Sequence, residues 1–380
     1  MKQIAIIGAS YLQLPLIETA KRMGLKTHVF AWAANDVGET AADVFYPISI
    51  VETEQILDKC REIGIDGICS IGSDLAMRTV NFVASELGLP GNSMEATLLS
   101  TDKHQMRQAF EQHGDPSVQS ILVSSASDLD GIPLQYPVIV KPLDRSGSRG
   151  ITRLEDASGL EAAIEHAKQQ GFLKQALVEA FAEGKEYSVE CLSVNGRHTL
   201  LAVTEKFTTG EPRFIETGHL EPSGLSATQQ EEIRQVVFHA LDSLKLTTGA
   251  SHTELKIDAQ GMIRIIEIGG RMGGDFIGSD LVQLTTGIDF VKAVISCALG
   301  EEPDLREQPH SGAAGVRFVF DRQDIAVFER LKKEHPDYLV RFELEESSQA
   351  VHDSSDRHGY FLMKADTREA LMPYLPEGNT

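Results

Sequence analysis

The stretch "SHTELKIDAQGMIRIIEIGGRMGGDF", residues 251–276, sets two β-type runs around Gln260–Gly261 and then leaves Arg271 between two pairs of glycines. A turn centred on Gln260–Gly261 predicts a hairpin. Such a turn pairs Ala259 with Met262 and, counting outward, puts Glu254 opposite Glu267. Directly opposed side chains stand about 4.5–5.5 Å apart at Cβ. Two carboxylates that close repel, and one takes up a proton unless a cation lies between them. Mg²⁺ suits hard oxygen ligands, with Mn²⁺ as the alternative. An edge hairpin with both acids in water is the plainer reading of the same residues. The glycines that follow favour a ligand. They clear side chains from both flanks of Arg271, so a bound molecule can reach the backbone while the guanidinium meets an anion.

Three further stretches carry polar residues where a ligand would want them. In "YPVIVKPLDRSGSRGI" (136–151) an apolar strand ends in Lys141, and a loop with Ser146, Gly147, Ser148, Arg149 and Gly150 follows. Backbone amides and hydroxyls in such a loop can wrap phosphate oxygens, with the lysine as a point charge. It is not a P-loop, because the GKS/GKT end is missing and a strand rather than a helix follows. In "ALVEAFAEGKEYSVECLSVNG" (176–196) two strands flank a break at 181–184, with Glu179, Phe181 and Glu186 around it. A linker of this kind offers backbone groups to an adenine edge and an acid to ribose hydroxyls; an ordinary β-bend is the simpler alternative. "FIETGHLEPSG" (214–224) adds Glu216 and His219 on an irregular segment, and Lys103 stands near a helix start in "STDKHQMRQAF".

Residues 1–96 alternate strand-like and helix-like runs from "IAIIG" onward, a rhythm that predicts a parallel sheet with right-handed crossovers. Gly24, Gly64 and Gly88 fall where helix C-caps belong. Residues 97–305 mix helices with hairpin strands and glycine loops, an α+β pattern whose part 136–195 reads as a smaller, lid-like unit. Residues 306–380 read as strand, helix, two strands and helix, a small α/β cap. The expected fold is therefore α/β and α+β multidomain.

The 380 residues are 42% apolar and 24% charged with a formal charge of −21, which argues against a nucleic-acid partner. Four scattered cysteines suggest neither disulfides nor a zinc site. The chain enters a short strand at once, without a signal-peptide core, and no apolar run reaches membrane-span length. The expectation is a soluble, cytoplasmic protein with no membrane partner, a homodimer being among the assemblies open to it.

In this order, these pieces resemble the ATP-grasp superfamily of carboxylate–amine ligases. The closest likeness is to its amino-acid (dipeptide) ligase branch, through "RFIETGHLEPSGL" and "GASHTELK". The resemblance implies a Rossmann-like pre-ATP-grasp domain, a central ATP-grasp fold and a C-terminal element. It implies ATP contacts from Lys103, Lys141, Glu186 and Leu255, from a loop of Ser146, Gly147, Ser148 and Gly150, and from a hinge of Glu179, Ala180 and Phe181. Glu254 and Glu267 would be metal ligands, with His219 a further contact. Glu216, His219, Arg271, Gly273 and Gly274 would border the substrates, a small-molecule carboxylate and an amine. Arg271, Glu267 and Lys141 would carry catalysis: ATP phosphorylates the carboxylate, and the amine displaces phosphate from the acyl phosphate. Many members carry Asn two residues after the second acid, where this chain has Gly269. Alternatives are a carboxylase-like or nucleotide-precursor ligase, or a non-catalytic ATP-binding protein. A nicotinamide oxidoreductase is disfavoured, because "GASYLQL" lacks the later glycines of GxGxxG and "HVFAWA" ends without an acid.

Overall fold

The computed structural model describes residues 1–144, 150–211, 213–345 and 349–377. Its first sheet is parallel, with strands β1 (Gln3–Ile7), β2 (Lys26–Ala31), β3 (Val44–Pro47) and β4 (Gly67–Cys69) in the order β3-β2-β1-β4. These strands are apolar on both faces because helices cover both faces. Ile4, Ile6, Ile7, Phe30 and Ile68 are buried there. Gly64 and Gly88 close the helices Thr53–Ile63 and Asp74–Leu87 in the left-handed conformation at φ 70° and 65°, as expected of C-caps.

A second, four-stranded sheet holds β5 (Ser120–Val123), β6 (Val138–Pro142), β7 (Thr152–Leu154) and β8 (Ala176–Ala180) in the order β5-β8-β6-β7. The helix Leu160–Gln170 packs on it through Ala163, Ile164 and Ala167. The smaller unit thus runs from Ser120 to Ala180 rather than over 136–195, because the chain leaves it at the 181–184 break.

The third sheet is the largest. It contains β9 (Lys185–Val194), β10 (Arg197–Thr208), β11 (Glu216–Glu221), β12 (Gly249–Ile257), β13 (Ile263–Gly269), β14 (Ala313–Phe318), β15 (Leu339–Leu344) and β16 (Gly359–Ala365). Their order is β13-β12-β9-β10-β11-β14-β16-β15. The tail does form strand, helix, two strands and helix, but β14 pairs antiparallel with β11, so its strands extend the large sheet instead of standing apart as a cap. No single helix among the described residues is long and apolar enough to cross a membrane.

The large sheet has one greasy and one polar face. Tyr187, Val189, Cys191, Val203, Leu255 and Ile257 share a core with the helix Ala227–Ser243. Alternation along a strand sends their neighbours Glu186, Ser188, Glu190, Lys206, His252, Glu254 and Lys256 to the opposite side. Strand pairing puts His252 beside Glu190, Glu254 beside Ser188 and Lys256 beside Glu186, so charge from separate segments is gathered on one surface.

Farther along this sheet, Glu221 is buried and accepts hydrogen bonds from the hydroxyls of Thr204 (2.8 Å) and Thr285. Among the described residues no cation pairs with it, and burial lifts its pKa to about 7. A carboxyl raised in this way contributes stability below its unfolded pKa, and that stability is lost as pH rises through 7. Glu221→Gln, a neutral isostere, should stabilise the fold by roughly 3 kcal/mol at pH 8 and by nothing near pH 4. Urea midpoints at the two pH values check this.

Candidate functional site

The polar face of the large sheet, the second sheet and the start of the helix Asp74–Leu87 enclose a cleft of about 820 Å³. Lys103, Lys141, Glu179, Ala180, Phe181, Glu186, Glu216, His219, Glu254, Glu267, Arg271 and Gly274 all line it. Residues 145–149, which include Ser146, Gly147 and Ser148, lie outside the described residues. Gly150, at the loop's far end, has φ 71°, and a Cβ there would fall 2.8 Å from Gln170 and 3.0 Å from Pro142.

Glu254 does pair with Glu267. The register arises differently from the expectation. The turn is a three-residue loop, with Asp258 N–H donating to Met262 O, so Ile257 pairs with Ile263 and Leu255 with Ile265. A β-bulge at Ile266 then restores the Glu254–Glu267 pair. The bulge also presents both Ile266 and Glu267 to the cleft, while Ile265 and Ile268 stay in the core. The two acids are 28% and 30% exposed, open enough to meet a ligand.

Each acid is held by a lysine. Lys103 Nζ contacts Glu267 Oε2. Lys103 begins the helix Lys103–His113, which Asp102 caps by accepting from the amides of His104 and Gln105. One turn on, Arg107 donates to the carbonyls of Ile265 (3.3 Å) and Ile266 (2.6 Å), gripping the bulge. Its Nε also reaches Glu179 Oε1 at 2.9 Å, and Lys141 Nζ lies 2.7 Å from Glu179 Oε2. Glu179 is buried; its two cations outweigh that burial and hold the carboxylate well below its usual range. Its side chain therefore braces Lys141. The hinge backbone is partly engaged, with Ala180 N–H on Gln119 O and Phe181 N–H on Pro137 O, both 2.9 Å. Ala182, also lining the cleft, is the next amide along.

Lys206 is the centre of the polar face. Its side chain is 2% exposed, and Nζ lies 2.8 Å from Glu186, 2.9 Å from Glu254 and 3.7 Å from Glu216. Burial opposes its charge, but the three acids outweigh burial and keep it protonated. Behind Glu254 runs a relay: His252 Nε2 is 3.4 Å from Glu254 Oε1, its Nδ1 contacts Glu190 Oε1, and Glu190 Oε2 accepts from Gly273 N–H at 3.0 Å. Burial alone would lower the His252 pKa; the two carboxylates raise it to about 9. Stability from this imidazolium is complete below its unfolded pKa and is lost as pH rises through 9. The expected loss is about 3 kcal/mol across that window, and it should be absent in His252→Gln. Urea titrations of both proteins from pH 6 to 10 measure it.

Three expected contacts are displaced. Leu255 is 0% exposed and belongs to the core, because it follows Glu254 by one residue and faces the other way. Ile266 takes the apolar position in the cleft instead. Gly273 does not line the cleft: a Cβ there would fall 2.5 Å from Glu190 Oε1 and 2.7 Å from His252 Nδ1, so it backs the relay. His219, expected at the metal, has its Nε2 4.0 Å from Asp275 instead, and burial keeps it neutral. Among the described residues no group of three or more His, Cys, Asp or Glu is placed to hold a metal. Protein ligation would come from Glu254 and Glu267 alone. That fits Mg²⁺, which commonly takes one or two carboxylates and completes its shell with phosphate oxygens and water.

Arg271 lines the cleft in a fork with Asp74, Nε to Oδ1 at 3.0 Å and Nη2 to Oδ2 at 3.1 Å. This pair accounts for Gly269, where a Cβ would fall 2.6 Å from Asp74 Oδ1 and 3.1 Å from Arg271 Nε. A side chain in that place would collide with the pair. The sequence reading missed Asp74, Arg107, Glu190, His252 and Lys206. Signals existed for His252 and Glu190, which the period-two rule puts on the faces of Glu254 and Glu186.

Residues 134–280 match the ATP-grasp domain family. The chain is 26% identical over 342 residues to human carnosine synthase 1, covering 82% of this chain and 41% of that protein. It therefore spans about two fifths of that relative's length. It is 25% identical over 335 residues to alanine–anticapsin ligase of Bacillus subtilis, covering 78% and 70%. Its structure is similar to that of the L-amino acid ligase from Bacillus licheniformis, with a TM-score of 0.82 at 24% identity over 98% and 96% of the two chains. The matched segment includes Lys141, the hinge, Glu254, Glu267 and Arg271.

Proposed function

We propose that this protein is an ATP-dependent carboxylate–amine ligase that forms an amide or peptide bond through an acyl phosphate, with an amino acid as one substrate. The observation that carries this reading is the Glu254–Glu267 pair facing a cleft that also holds Lys103, Lys141, Lys206 and Arg271. The printed names of the relatives, a carnosine synthase and an alanine–anticapsin ligase, support it. The four cysteines are buried and none lines the cleft, which suits chemistry by positioning and charge neutralisation.

Glu254 and Glu267 would hold Mg²⁺, which when bound neutralises phosphate charge and polarises the transferring group. Lys103 and Lys141 would face the phosphates, with Glu179 keeping Lys141 aimed. The hinge from Glu179 to Ala182 would meet the adenine, Ile266 would pack against it, and Glu186 would take the ribose. Arg271 would face the carboxylate as negative charge develops there, and Glu216, His219 and Gly274 would border the substrates. ATP gives its terminal phosphoryl group to the carboxylate; the amine nitrogen then attacks the acyl carbon, and phosphate leaves. The test is ADP and phosphate release across a screen of amino-acid pairs. Release that requires two amino acids supports the proposal, whereas release driven by bicarbonate or a sugar-phosphate amine contradicts it.

A further inference from the structure

One end of the cleft is bounded by Glu216, His219 and Asp275 and closed from behind by Arg357, a residue of the C-terminal element. Arg357 Nη1 donates to Asp275 Oδ2 at 2.7 Å and Nη2 to Glu216 Oε2 at 3.1 Å, while the guanidinium lies 3.8 Å from the centre of the Phe318 ring. The side chain is 7% exposed, and its Nε is buried without a partner. Arg357 is thus committed to two acids rather than directed into the cleft. Two carboxylates against one guanidinium leave negative charge uncompensated, since Lys206 is shared with Glu186 and Glu254.

Two more observations point to a ligand here. Asp275 and Phe276 are consecutive non-glycine residues in the left-handed region, at φ 50° and 67°. Such conformations cost on the order of 1 kcal/mol each and persist where surroundings impose them. Phe276 is pinned between Tyr360, 4.2 Å away between ring centres, and Arg341 at 5.2 Å, which fixes Asp275 at the cleft wall. His219 is 1% exposed and lines the cleft, yet neither ring nitrogen has a hydrogen-bond partner. A neutral imidazole beside two acids can accept a hydrogen bond from an N–H donor.

We propose that this end of the cleft binds a substrate amino acid with a cationic side chain, with Asp275 as the specificity-determining contact and Glu216 and His219 beside it. This rests on the ligase reading for its substrate class. A cationic group gains a charge-assisted contact, whereas an acidic side chain meets like charge.

The test compares lysine, norleucine and glutamate. Calorimetric binding to protein loaded with Mg²⁺ and a non-hydrolysable ATP analogue is measured beside phosphate release with each as co-substrate. Lysine should bind at least about tenfold more tightly than norleucine, and glutamate should not bind. Asp275→Asn should weaken lysine roughly 30-fold, and Asp275→Glu should recover part of the loss. The thermal midpoint should fall, because Arg357 loses a charged partner, but ATP-analogue affinity and norleucine affinity, which a general collapse of the cleft would move, should stay near wild type. Lysine binding without any ligation would support the subsite while contradicting the ligase reading. Equal binding of norleucine, or equal weakening of lysine and norleucine by Asp275→Asn, would overturn the subsite and leave that reading standing.

Discussion

Glu267→Gln is expected to lower kcat by on the order of 10³-fold while the protein stays folded. The isostere keeps the shape and an oxygen acceptor but removes the charge that would hold the cation against Glu254. Little packing is at stake, since the side chain is 30% open to the cleft and its partner is Lys103. Lys103, 11% exposed, loses a charged partner, so a stability loss of about 1–3 kcal/mol should accompany the change. Steady-state ADP formation and a urea melt measure the two quantities together. Normal turnover in the variant would show that the acids do not hold the cation, and the metal assignment would fail.

Lys206→Met should have the next largest effect, and it should show in stability as well as rate. Three carboxylates converge on one buried ammonium, at 2.8, 2.9 and 3.7 Å. Removing one partner of a buried ionic cluster leaves uncompensated charge, at a cost of about 3–5 kcal/mol. Glu186 and Glu254 would then repel each other, and turnover should fall on the order of 10²-fold or more. A divalent cation can take over part of the lysine's role at Glu254. Mg²⁺ should therefore raise the melting temperature of Lys206→Met more than that of the wild type. Scanning calorimetry with and without MgCl₂ decides this; equal shifts would mean that Lys206 does not balance Glu254.

Much of this arrangement was legible in the chain because it is written locally. The parallel sheet follows from the strand–helix rhythm of residues 1–96. The acid pair followed from two β runs around a turn, although a three-residue loop and a bulge at Ile266 compensated each other to give the same pairing. What escaped is non-local. Lys206 looks like any strand lysine until β9, β10 and β12 are laid side by side, and Arg357 reaches Glu216 across 141 positions of chain. Asp74 at the start of its helix gave no sign that it would meet Arg271. Leu255, which the resemblance implies as an ATP contact, is turned into the core by the same alternation that turns Glu254 to the cleft.

The central claim is that the acids and cations of this cleft serve transfer of phosphate from ATP to a carboxylate. Its most direct test is ¹⁸O transfer from a substrate labelled in its carboxylate, with the released phosphate read by mass spectrometry. One labelled oxygen per phosphate is the expected result. Unlabelled phosphate, or AMP and pyrophosphate in place of ADP, would contradict it.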